Sequence, residues 1–285
     1  MNSVHGAFNA VFDALLYPLD RLGAEWALVI ASGIFGVLAL WLFKYISWQQ
    51  GITRTKDKIK GHLIEIRIYQ DDLAIVALAV GKILLRNLQY LVLNFGPILP
   101  LAAPFTLVAA QLVVRYGFAP VEPRAAAAGL MPGQGVLLDV RLRASDAARA
   151  SELAIELPAG LAPISPIVRL PQQGRVLVEF APLAAGSYDI GLALPGGVRE
   201  TKRLVAGATP ERRMQPERVG TFWSSWLWPA EPTFAASSPF ERVAFTYPDR
   251  ELAWMPDGPG GVLLVFLVAA MLFGALAMKP LGVSI

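Results

Sequence analysis

The chain has no cysteine, only two histidines, and only 16% charged residues among its 285 positions. Without cysteine there can be no disulfide, no thiolate nucleophile and no cysteine metal site, and no redox clue to the compartment. His5 lies near the terminus, and His62 stands beside Glu65 in a charged stretch that reads as a solvated helix face. Gly133 and Gly135 lack the third glycine and the following helix of a dinucleotide loop. A phosphate loop, an HExxH zinc motif and a GxSxG elbow are all missing. Asp71 and Asp72 are adjacent, and capping of a following helix explains them better than acid-base work. No catalytic residue, metal or cofactor is therefore expected, and the chain reads as non-enzymatic. Its net charge of +3 comes without a basic stripe, which sets nucleic acid aside as a partner.

What the chain has in quantity is apolar surface. Hydrophobic residues make up 55% of it and its mean hydropathy is +0.49, too high for an ordinary soluble protein. Trp26 to Phe43 runs without a charge and would cover roughly 27 Å of hydrocarbon as a helix. Gly258 to Met278 is a second uncharged run, closed by Lys279. A third, Asn87 to Val114, contains Pro97, Pro100 and Pro104 and would be about 42 Å long if straight, so a single crossing requires tilt or a kink. The alternative places a turn at Asn94, Gly96 and Pro97 between two short spans, 73–93 and 98–114. That choice buries Lys82 and Arg86 near mid-membrane at about 5 to 7 kcal/mol before snorkelling relief.

Lys44, Arg54, Lys56, Lys58, Lys60 and Arg67 follow the first span, whereas Arg21 is the one base before it. The positive-inside rule makes the lysine-rich segment cytoplasmic, with the N-terminus outside and, after three spans, the C-terminus inside. A bacterial inner membrane is the expected location. Residues 1–25 lack a charged start and a small-residue cleavage site, so they are expected to stay in place, with Phe8, Phe12, Leu15 and Leu16 forming an interfacial helix.

The expected order is an outer interfacial helix (1–25), a first span (26–46), a cytoplasmic helical hairpin (47–85), a proline-kinked second span (86–115), an extracytoplasmic, sandwich-like β-domain (118–209), an aromatic-rich irregular segment (210–257), a third span (258–279) and a cytoplasmic tail (280–285). In the hairpin, Ile59, Leu63 and Ile66 recur at helical spacing, and Asp71 or Asp72 caps a helix starting at Leu73. Short alternating runs, GVLLDVRLR, SELAIEL, SPIVRL, GRVLVEFA, SYDIGLAL and VRETKRLV, predict six strands of an all-β sandwich. Gly186, Ser187 and Tyr188 precede a strand as a tyrosine corner does, which resembles immunoglobulin-like modules. Trp223, Trp226, Trp228 and Trp254 suit a headgroup layer, with a short interfacial helix at Trp223, Trp226 and Leu227. The aromatic residues of this segment could instead cover the open face of the sandwich.

Polar residues in and beside the middle span, Lys82, Arg86, Asn87, Gln89, Asn94 and Gln111, are the least expected in lipid. Arg86, Asn87, Asn94 and Gln111 are candidates for a wet groove between helices; snorkelling and helix-to-helix hydrogen bonds are the alternative.

The order of parts resembles the YidC-like, Oxa-type membrane-protein insertase superfamily in its smaller three-span members. The resemblance rests on FNAVFDALLYPLDRL leading into the first span, on ITRTKDKIKGHLIEIRIYQDD as a charged hairpin, and on the proline-rich and final spans. It covers about 1–115 and 258–285 and leaves the β-domain outside. It implies an insertase-like or chaperone-like factor, in which the polar groove lowers the cost of moving a client and the hairpin residues Lys56, Lys58, Lys60 and Arg67 receive it. The first span departs from the bacterial pattern, since it offers Ser32 and Trp41 but no arginine. The other expectation is a structural or assembly subunit docking through the β-domain. Expected partners are the lipid bilayer, nascent membrane proteins or the subunits of a membrane complex.

Overall fold

A computed structural model describes residues 2–124, 129–208 and 213–283. The expected border between β-domain and aromatic segment, at 209 and 210, lies outside the described residues, as does the end of the expected tail. The chain divides into two compact units, Met1–Leu28 with Leu107–Val265, and Val29–Thr106 with Phe266–Ile285.

Three helical stretches are long and apolar enough to cross a membrane: Ala24–Ile46, Leu73–Tyr116 and Gly258–Leu281. Ahead of them α1 spans Asn2–Asp20; α2 is Ala24–Ile46 and α3 is Gln49–Ile68. The middle stretch is two helices, α4 (Leu73–Phe95) and α5 (Ile98–Tyr116). Asp72 starts α4 by accepting from the Ala74 and Ile75 amides at 3.0 and 3.2 Å, which leaves Asp71 without the capping role.

α4 packs along α3 as an antiparallel hairpin. The contact stripe on α3 is Ile52 and Thr55, both buried, followed by half-buried Ile59, His62 and Ile66. Leu63, expected on that stripe, stands 54% exposed. The hairpin does not end at residue 85, because α4 runs on to Phe95. The backbone stays helical beyond it: Gly96 has φ −52° and ψ −48°, and its amide bonds Val92 O at 2.9 Å. The chain therefore does not reverse at Asn94–Pro97, and the two-span alternative loses its turn. At 1.5 Å per residue the 44-residue stretch is about 66 Å long, so only part of it is needed to cross ~30 Å of hydrocarbon.

In the second unit α2 meets α7 (Gly258–Leu281) at small residues. A Cβ on Gly36 would sit 2.1 Å from the Ala270 carbonyl oxygen. Close backbone approach of this kind is how helices associate where no hydrophobic effect drives them. Phe35, Phe105 and Phe266 fill the space beside the crossing, with ring centroids 4.6 to 5.6 Å apart.

The β-domain belongs to the first unit and consists of two antiparallel sheets. β1 (Val136–Leu142) and β5 (Arg175–Pro182) form the centre of one, with β3 (Leu161–Pro163) and β4 (Val168–Leu170) along β5. The second holds β2 (Ala154–Glu156), β6 (Gly186–Leu194) and β7 (Val198–Ala206) in that order. Alternation sets the core: Val136, Leu138, Val140 and Leu142 of β1 point inward, while Leu137, Asp139 and Arg141 do not.

The six expected strands form, and three more join them. Two come from the segment read as irregular: β8 (Glu217–Val219) and β9 (Phe240–Phe245), which extend the first sheet in the order β1-β9-β8. The aromatic residues of this segment divide accordingly. Phe234, Phe240, Phe245 and Tyr247 are buried in the sandwich core, whereas Trp223 and Trp254 stay 78% and 58% exposed. Inside the domain Lys202 is fully buried, donates to Gln215 O at 2.6 Å and pairs with the buried Glu231. Burial pulls its ammonium below the ordinary lysine range, and Glu231 opposes that shift.

Two glycines give opposite expectations. Gly36→Val should cost about 1 to 3 kcal/mol, because the α2–α7 crossing cannot admit a side chain. Gly61→Ala, on an exposed turn of α3 with open space around it, should stabilise by about 0.5 to 1 kcal/mol. Thermal unfolding of the full chain in mild detergent reads both.

Candidate functional site

The second unit contains a groove of about 540 Å³. Gly36, Ala39 and Phe43 of α2 form one wall, Leu91 and Phe95 of α4 with Ile98 and Leu101 of α5 another, and Ala270, Gly274 and Met278 of α7 the third. Small residues on α2 and α7 make the opening, since side chains cut to hydrogen or methyl leave space where larger ones would meet. The surface is apolar apart from Tyr90 and Asn94. Asn94 donates from Nδ2 to Tyr90 O at 2.8 Å, and its Oδ1 is buried without a partner. An unmet acceptor costs about 1 to 3 kcal/mol in such surroundings, a cost removed when a donor arrives.

Of the four residues expected to line a wet groove, only Asn94 lines this one, and the groove is dry-walled. Asn87 shares a helix face with Asn94 two turns earlier, but it is exposed and bonds Ile83 O at 3.0 Å on its own helix. Arg86 bonds Gln89 Oε1 at 2.8 Å, also within α4. Gln111 belongs to the first unit and is 2% exposed, with Nε2 donating to Asn9 Oδ1 at 2.6 Å. A seven-residue spacing puts two side chains on one face; it does not say where that face has neighbours.

The hairpin residues Lys56, Lys58, Lys60 and Arg67 are exposed on α3, with Asp57 3.7 Å from Lys60. His62, read as a solvated position, is half-buried and bonds Glu65 at 2.9 Å. Lys82 of α4 reaches Glu65 at 3.7 Å. The His62 hydrogen bond, then the Lys82 charge, hold the Glu65 carboxyl below its ordinary range. The tryptophans are spread over the first unit. Trp223 and Trp226 lie on the short α6 (Phe222–Leu227), Trp228 approaches Phe118 at 6.3 Å, and Trp254 packs on Trp26 at 5.5 Å.

A second polar constellation, absent from the sequence reading, joins α1 to the end of α5. Arg115, 2% exposed, is paired with Asp13 and lies 3.2 Å from Asp20. Tyr116 donates its hydroxyl to Asp20 at 2.7 Å, and Arg213 approaches Asp13 at 3.2 Å. Asn9 donates to Pro229 O at 2.9 Å while receiving Gln111. The inward face of α1 is therefore buried Asn9 and Leu16 with half-buried Asp13 and Asp20, and Phe8 and Leu15, expected to anchor the helix, are exposed. The available signal was the matched i, i+4 spacing of Asn9 with Asp13 and of Gln111 with Arg115. Among the described residues no group of three histidines, aspartates or glutamates could hold a metal ion.

Arg115→Met should cost about 1 to 3 kcal/mol, because Asp13 and Asp20, with side chains 37% and 25% exposed, lose the cation between them. The loss should appear as a lower unfolding temperature and as protease cleavage within α1. Adding Asp13→Asn to that variant should recover part of the cost. Comparison with family models, with curated proteins and with solved structures returns no match.

Proposed function

We propose that the chain is an integral protein of a bacterial inner membrane, N-terminus outside and C-terminus inside, that shelters apolar segments of other membrane proteins during insertion or assembly. The observation that carries this reading is the apolar groove with one unpartnered acceptor on its wall. Lipid tails already solvate an apolar client well, so a groove earns its place by what lipid cannot offer. Asn94 Oδ1 supplies a hydrogen bond to a client segment bearing a polar group, worth about 1 to 2 kcal/mol inside a membrane. The small residues on α2 and α7 let such a segment come close. The orientation follows from the lysines and arginines after the first span. The hairpin residues Lys56, Lys58, Lys60 and Arg67 are then the cytoplasmic approach to the same α4 that walls the groove.

The reading of a structural or assembly subunit draws on a different observation. The β-domain carries a cleft of about 570 Å³ with mixed lining, including Glu122, Arg124, Asp249 and Glu251. A charged, open cleft of this kind suits a folded partner better than an apolar segment.

The two readings separate with a photo-crosslinking amino acid placed at Asn94 or at Glu251. The insertase-like reading expects Asn94 to capture nascent membrane proteins during their synthesis, with yields that change as the nascent chain lengthens. Capture of stable, stoichiometric neighbours alone, from either position, contradicts it and supports the subunit reading.

A further inference from the structure

The α3–α4 hairpin has one side that neither helix covers. At about 100° per residue, Lys56, Lys60, Leu63, Ile64 and Arg67 follow one another along α3 on the flank clockwise from its contact stripe. In an antiparallel pair, that flank lies on the same side as Leu73, Val80 and Leu84 of α4. These side chains stand open: Ile64 is 58% exposed, Leu84 is 67% and Leu73 is 82%. The side thus combines an apolar strip on one helix with a basic strip on the other.

We propose that this side of the hairpin is a docking surface for an anionic lipid bilayer, on which α4 lays its leucines among the acyl chains while the α3 bases meet lipid headgroups. Two observations commit the surface to lipid. Its charge is mainly positive: Lys56, Lys60 and Arg67 interleave with the apolar positions, against Asp57 at the edge 3.7 Å from Lys60, and a helix with bases beside a broad apolar strip is what seats in an anionic interface. A symmetric pairing of two copies would bring those bases against their own images. The apolar face also continues through the helical backbone at Gly96 into α5, so it extends a stretch already apolar enough to cross the membrane. The inference rests on the reading of that stretch as membrane-crossing.

The full-length chain, which has no native cysteine, allows the test. Ile64→Cys and Leu84→Cys report the hairpin and Leu38→Cys, on α2, reports a span; each carries an environment-sensitive fluorophore. The protein is reconstituted into neutral phosphatidylcholine vesicles or vesicles with about 30% phosphatidylglycerol. Acrylamide is the quencher because, being uncharged, it is not enriched or depleted at an anionic surface. Quenching at positions 64 and 84 should fall at least about threefold in the anionic vesicles and return in about 0.5 M salt. The triple variant Lys56→Gln, Lys60→Gln, Arg67→Gln should lose the difference between the lipids. Equal quenching in the two lipids overturns the docking, whether both are high or both low, and low quenching that rises on dilution of protein into excess lipid assigns the face to a second copy. In either case a shielded Leu38→Cys shows that the span reading stands. If the Leu38→Cys label is itself freely quenched in every lipid, the span reading fails and the docking falls with it.

Discussion

The constraint on which the rest depends is that the long helices turn leucine and methionine outward. Leu38 on α2, Leu88 on α4 and Leu267, Met271 and Leu276 on α7 are 45% to 68% exposed. Monomeric soluble proteins rarely leave apolar surface on that scale, and hydrocarbon is the solvent in which it carries no penalty. Polar groups on the same helices then either bond their own helix, as Asn87 does to Ile83 O, or turn inward. Ser32 and Gln111 are buried, and Asn94 faces a groove wall instead of open surface.

The same constraint explains why the buried polar groups matter more than their number. In water the Arg115 pairs would be ordinary surface salt bridges of little value; buried, they fix the position of α1 against the end of α5. Gln111 and Asn9 add a second fastening about one turn along each helix. Asn94 Oδ1 and Gln111 Oε1 are both buried without a partner, and of the two Asn94 is the one that lines the apolar groove. A protein that leaves one acceptor unmet on an apolar wall has a place where a polar group of another segment is rewarded, and this difference links the groove to the proposed role.

Much of this was legible in the sequence where one element sufficed to decide. The uncharged runs from Trp26 and Gly258, the cap before Leu73 and the alternating strands carry their signal within a few residues. Pairings between distant residues were not legible. Arg115 meets Asp13 across 102 positions, and nothing near either residue says which helix will face which. The strand Phe240–Phe245 escaped for a related reason: its β-character depends on the register with β1, while its phenylalanines blend into an aromatic-rich neighbourhood. Composition identifies Arg86, Asn87 and Asn94 as polar residues but not which turn of α4 has neighbours. Asn87 and Asn94 differ only in that.

The proposed function rests on a topology in which the lysine-rich hairpin is cytoplasmic and the β-domain is not. Labelling of Lys56→Cys and Ser145→Cys by a membrane-impermeant maleimide, in spheroplasts before and after permeabilisation, tests it most directly. The account predicts that position 145 reacts in intact spheroplasts and position 56 only after they are opened. Reaction of both positions from the same side would contradict it.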